Sequence, residues 1–272
     1  MIEWPKMERF LLLGAVASVL VGCVPLPAED AGNSPPPPRS SMREFEDLDP
    51  GAKELVSLHF SVRAYGSGNA DAVSALCENL YSRLMNDTGL YSFLPREPYR
   101  VIVYGDREEY LRKTGMPQWS GGLSAGNAIY AYESRNLPGV LAHEMTHLIF
   151  REYLDRDDLS LRWVNEGLAV YEEREALAAQ GYAADLSRDP VLSFQEMLLL
   201  APMDERERNV SAWYRQVGSV VRFLIERGGR VGFGQFMRAL KDGQRAGDAL
   251  RTGFPAQWRD LDALETSWRD GR

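Results

Sequence analysis

The sequence is poor in the residues that build disulfide frameworks and large metal clusters. Its 272 residues include two cysteines, Cys23 and Cys77, and three histidines, His59, His143 and His147. Two thiols cannot make a disulfide-rich scaffold. A basic surplus is also lacking: 31 Lys and Arg stand against 39 Asp and Glu, a formal net charge of -8, which removes the electrostatic footprint of a nucleic-acid binder. No apolar run reaches transmembrane length. The run at residues 10–21 (FLLLGAVASVLV) falls short of the roughly 20 residues a spanning helix needs. No internal repeat is visible. What remains, 44% hydrophobic and 26% charged, is globular in composition, and the length suffices for one large domain or two small ones around a buried core.

The short apolar run follows Lys6 and Arg9 and closes on Leu20-Val21-Gly22-Cys23. A basic start, a brief apolar centre and small residues at a cleavage point describe a signal peptide over residues 1–22. The closing tetrad resembles the lipobox of bacterial lipoproteins. That resemblance implies lipidation at Cys23 and a protein tethered to a membrane without spanning it, since two or more acyl chains anchor stably. Val24 replaces the Asp that often retains such proteins at the inner membrane, so the expected location is the cell envelope, on the periplasmic face of the outer membrane. A signal anchor, or a secreted form with Cys23 incidental, is the competing reading, and Met7 is an alternative start. Residues 23–43, with four consecutive prolines at 35–38, read as a Pro-rich linker acting as an extended stalk. The folded domain is expected over 44–272.

Within that domain, residues 55–65 read as a strand and 69–87 as a helix. Residues 99–104 (YRVIVY) read as a buried strand and 106–113 as a short helix. Residues 121–132 suggest two more short strands joined by a turn. Everything after Pro138 reads as helix, in pieces near 138–153, 161–180, 193–200, 208–227, 231–241, 244–252 and 256–269, punctuated by Gly181, Gly228-Gly229, Gly243 and Pro255. The expected class is α+β, with a small mixed sheet lobe at about 44–136 and a helical lobe at about 137–272.

The chemistry concentrates in the first of these late helices. His143-Glu144-Met145-Thr146-His147 places two imidazoles one helical turn apart on one face, where both can address a single ion. Glu144, next along, can reach beside the ion to a bound water, while Leu141, Met145, Leu148 and Ile149 bury the opposite side. A third ligand is expected at Glu166 in Trp163-Val164-Asn165-Glu166-Gly167-Leu168-Ala169-Val170, because a carboxylate in an apolar helix needs a cation or a donor. Asp155, Asp157 and Asp158 are rival ligands in a polar turn, and Glu172, Glu173 and Glu175 read as a solvated helix face. Two His and one Glu with a fourth position open to water is a catalytic zinc arrangement. His59 reads as a strand-face residue and Cys77 as a buried free thiol.

His143-Glu144-x-x-His147 followed by Trp163-x-x-Glu166-Gly167-x-Ala169 resembles the gluzincin metallopeptidases, specifically the peptidase MA-like family of bacterial proteins, over residues 99–268. The resemblance implies a zincin-like fold with the active-site helix between the lobes. It implies Zn2+ held by His143, His147 and Glu166, Glu144 as general base, and a peptide or protein substrate. It places Tyr214 as a donor to the oxyanion, against core packing as the alternative. Many gluzincins carry an Asp four residues after the third ligand to orient the first histidine. Here that position is Val170, which leaves Asn165 or a backbone carbonyl to orient His143. The strand at 121–132 is expected as an edge along which an extended peptide can pair. A binding or assembly lipoprotein on the same fold, or a non-peptidase zinc hydrolase, are the competing functions. Membrane contact is expected through the lipid alone.

Overall fold

A computed structural model describes residues 23–25, 45–156, 158–182, 192–199 and 207–271 of the chain. The signal peptide expected at 1–22 and the linker residues 26–43 lie outside the described residues.

The fold is α+β. Strands β1 (Cys23–Pro25), β2 (Ala52–Val56), β3 (Phe60–Tyr65), β4 (Tyr99–Tyr104), β5 (Ser120–Ala125) and β6 (Ala128–Tyr132) form one mixed sheet in the order β1-β5-β6-β4-β3-β2. β4 runs parallel to both neighbours, with Val101 opposite Val62 on one side and Ile129 on the other. β2 pairs antiparallel with β3, and β5 with β6. β1 lies antiparallel on the outer side of β5, with Cys23 opposite Leu123.

Alternation along the strands makes two apolar faces. Phe60, Val62, Ala64, Val101, Val103, Ile129 and Ala131 face the main core, beneath α1 (Ser67–Thr88) and α3 (Leu137–Leu154). Ile102, Tyr104, Leu123, Tyr130 and Tyr132 face a smaller cluster under α2 (Arg107–Thr114) and the segment around Phe45 and Leu48. The helical part continues through a 3-10 turn into α4 (Arg162–Ala178), then α5 (Phe194–Leu199), α6 (Glu207–Gly228), α7 (Arg230–Lys241), α8 (Ala246–Gly253) and α9 (Leu261–Asp270). The main core runs unbroken from the sheet into these helices.

One expected element divides. Residues 55–65 make a hairpin instead of one strand, because Glu78 of α1 organises a turn at 57–59: its carboxylate accepts from Ser57 Oγ at 2.6 Å and from His59 N at 2.9 Å. His59 therefore sits in the turn and not on a strand face. Its Nδ1 lies 2.6 Å from Glu78, and its ring stacks on Tyr81 with centroids 3.9 Å apart. Cys77 is a buried free thiol, as expected. Among the described residues no helix is long and apolar enough to cross a membrane.

Two close approaches set the site. A Cβ at Gly122 would come 2.4 Å from Val140 Cγ1, so glycine lets β5 settle directly on the start of α3. A Cβ at Gly167 would meet the Val217 carbonyl oxygen and Val221 Cγ2, both at 2.6 Å. Gly167 therefore lets α4 and α6 approach closely beside Glu166.

Candidate metal centre

α3 is buried around its whole circumference from Gly139 to Phe150, so its polar residues answer to the interior and not to solvent. Asn136 precedes it without a side-chain cap bond, and Pro138 occupies the first turn, where its missing N–H costs nothing. α3 and α4 pack side by side, and this brings His143 and His147 against Glu166.

His143 Nε2 lies 3.9 Å and His147 Nε2 3.6 Å from Glu166 Oε2. All three side chains are buried. None of these three atoms has a hydrogen-bond partner among the described residues. Leaving three buried polar atoms unsatisfied around one point is costly unless something fills it. Donors about 2.1 Å from a common ion at tetrahedral angles stand roughly 3.4 Å apart, close to the observed His–Glu separations. The buried His143, His147 and Glu166 group can hold a metal ion.

The far side of each imidazole is fixed. His143 Nδ1 is 3.0 Å from Glu173 Oε2, and His147 Nδ1 is 2.9 Å from Asn165 Oδ1. With the proton on Nδ1 donated to these oxygens, both Nε2 lone pairs turn to the same point, the arrangement that orients metal-binding histidines. Asn165 thus orients His147, and not His143 as the sequence suggested. Glu173 belongs to the site and not to a solvated face. Position 173 lies two turns beyond Glu166 on the same side of α4, and the packing of α4 on α3 sets it against His143. Val170, midway, packs against Gly218 of α6. Glu172 is also no surface residue: fully buried, it receives a bond from Arg83 Nε at 3.0 Å.

Glu144 has no exposed surface, and neither of its oxygens has a hydrogen-bond partner among the described residues. The Ser124 hydroxyl of β5 interacts with it without reaching hydrogen-bonding geometry. Burial pushes the Glu144 carboxyl up to about 8. Burial also disfavours a charged imidazole at both histidines. At His143 the Glu173 carboxylate, helped by Glu144 and Glu166, overrides it and raises the ring to about 9. At His147 burial prevails and lowers the ring to about 4.

The rival ligands are occupied elsewhere. Asp155 ends α3 and bonds Arg96 at 2.8 Å, and Asp158 caps the 3-10 turn. Asp157 lies outside the described residues. Tyr214 stands on α6, half-buried, with its ring edge-on to Trp213 at 5.2 Å. Trp213 carries the Arg162 guanidinium 5.9 Å above its ring, and Arg162 Nε lies 4.0 Å from Glu166 Oε1. This chain of contacts is how α6 reaches the site.

No protein-family profile matches the chain, and no curated protein aligns with it significantly. The resemblance to gluzincins therefore rests on the motif residues of the sequence alone.

Proposed function

We propose that this protein is a zinc-dependent peptidase of the gluzincin, peptidase MA-like kind, on a zincin-like arrangement of sheet and helices, lipid-anchored through Cys23 in a bacterial cell envelope. The observation that carries this reading is the buried Glu144 carboxylate, without a hydrogen-bond partner among the described residues, beside two oriented histidines and Glu166. A purely structural site has no use for an acid at that position.

His143, His147 and Glu166 would hold the ion, and zinc suits two imidazoles and one carboxylate. Such an ion lowers the pKa of a bound water and polarises a carbonyl oxygen. Glu144 accepts the proton of the attacking water on a carboxylate oxygen and returns it to the leaving amine, general base and then general acid. Glu173 and Asn165 keep the imidazoles from rotating while charge develops. Tyr214 remains the proposed donor to the oxyanion, reached from α6. A peptide would take the outer edge of β5 in place of Cys23–Pro25, whose antiparallel backbone there supports the edge's capacity to take an extended strand.

The test is metal analysis and peptide-library cleavage by the full chain in detergent, beside Glu144→Gln. About one zinc per chain is expected in both, with hydrolysis in the first alone. Absence of bound metal would overturn the site. Metal with no Glu144-dependent hydrolysis would overturn the peptidase and favour a binding lipoprotein.

A further inference from the structure

Beyond the ligands the cleft changes character. A cavity of about 30 Å³ opens beside His147 and Glu166 and is lined by Arg151, Arg156 and Arg162, with Asp158 as its one carboxylate besides the ligand Glu166. That volume holds about two water-sized groups, the bulk of a carboxylate's two oxygens. A separate open groove of about 580 Å³ shares Arg151 and Arg156 with it and runs past Arg96 to Gly126 and Asn127, at the turn after β5.

In the open groove the charges balance: Arg96, Arg151 and Arg156 stand with Glu97, Glu152 and Asp155, and Asp155 is held by Arg96. The excess of positive charge lies in the small cavity, where Arg151, Arg156 and Arg162 meet Asp158 and the ligand Glu166. Arg156 has a single distant counter-ion, Asp158 Oδ2 at 3.4 Å, and its Nε has no partner among the described residues. Arg162 Nε is likewise without a hydrogen bond. No described carboxylate pairs with Arg151. In a chain of net charge -8, a cavity lined by three guanidinium groups, with Asp158 as the one carboxylate besides the ligand Glu166, can receive an anion.

The strand geometry says which part of a peptide reaches it. A peptide antiparallel to β5 starts at the Ala125 end, as Cys23 opposite Leu123 and Pro25 opposite Ser120 illustrate. Its residues before the cleaved bond therefore lie toward Gly126, on the arginine side.

We propose that the protein selects peptides bearing an aspartate or glutamate on the N-terminal side of the cleaved bond, its carboxylate received by Arg151 and Arg156 with Arg162 behind them. This rests on the peptidase reading and adds its substrate class.

The experiment uses the full-length, zinc-loaded Glu144→Gln protein and fluorescent peptides carrying one Glu, or its Gln isostere, at successive positions. At one position the Glu peptide should bind roughly tenfold or more tightly. That preference should vanish in Arg151→Gln/Arg156→Gln, with the metal retained, and survive in Arg156→Lys. Equal affinity at every position, or a preference that persists in the double variant, overturns the inference and leaves the peptidase standing. Binding of no peptide by a metal-loaded protein overturns both.

Discussion

Glu173 offers the sharpest quantitative check on the site. Its Oε2 accepts from His143 Nδ1 at 3.0 Å, and His143 is only 1% exposed, so water cannot replace a lost partner. Glu173→Gln keeps an acceptor oxygen within reach but removes the negative charge. A charge-assisted bond exceeds a neutral one by about 1 kcal/mol, which corresponds to roughly five- to tenfold in zinc affinity. Glu173→Ala removes the acceptor altogether, frees the ring to rotate and leaves a buried N–H unpaired. Its loss should approach 100-fold, the upper range for partners of metal-bound histidines. The assay is competition for zinc against a chromogenic chelator at fixed pH, with Glu175→Gln as the same-helix control that touches neither histidine. Wild-type affinity in both Glu173 variants would refute the orientation argument, and equal losses in Glu175→Gln would reassign the effect to general charge.

Gly167→Ala should destabilise the protein by about 1–3 kcal/mol and weaken zinc binding, because the added Cβ meets the backbone of α6 at 2.6 Å. Gly139→Ala, whose Cβ meets only the Leu177 side chain at 2.9 Å, should cost less in the same thermal melts. Glu172 is buried and its carboxyl is pushed up to about 7 from an ordinary 4.5. Between those values the folded state binds more proton than the unfolded one, so this group's contribution to stability falls as pH rises, by at most about 1.4 kcal/mol per pH unit. Urea unfolding of wild type and Glu172→Gln at pH 5, 6 and 7 checks the sign, the variant gaining relative to wild type toward pH 7.

The strand at 99–104, the late helices and the His143, Glu144, His147 and Glu166 set were legible because each is written in local spacing: period two for the strand, four residues for the histidines, an isolated acid in an apolar helix for Glu166. The hairpin at 52–65 was not, because the turn depends on Glu78, contributed by α1 rather than by the turn itself. The partners of the imidazoles were assigned wrongly for a similar reason. Whether Asn165 meets the first or the second histidine depends on the offset between α3 and α4, and that offset is set by packing. A run such as Glu172, Glu173 and Glu175 looks solvated until the neighbours on each side are known. Arg83 claims one member and His143 another.

The three candidate ligands and the two groups that orient them all lie between positions 143 and 173, on two consecutive helices. Loop closure over so short a stretch costs little entropy, and contacts of low sequence separation form early. Metal capture can therefore begin in a nascent helical hairpin, before β5 has brought Ser124 over Glu144 and before α6 has closed on Gly167. Bound metal would then report that hairpin and not the finished cleft, so metal loading and completion of the cleft would be separate stages of folding.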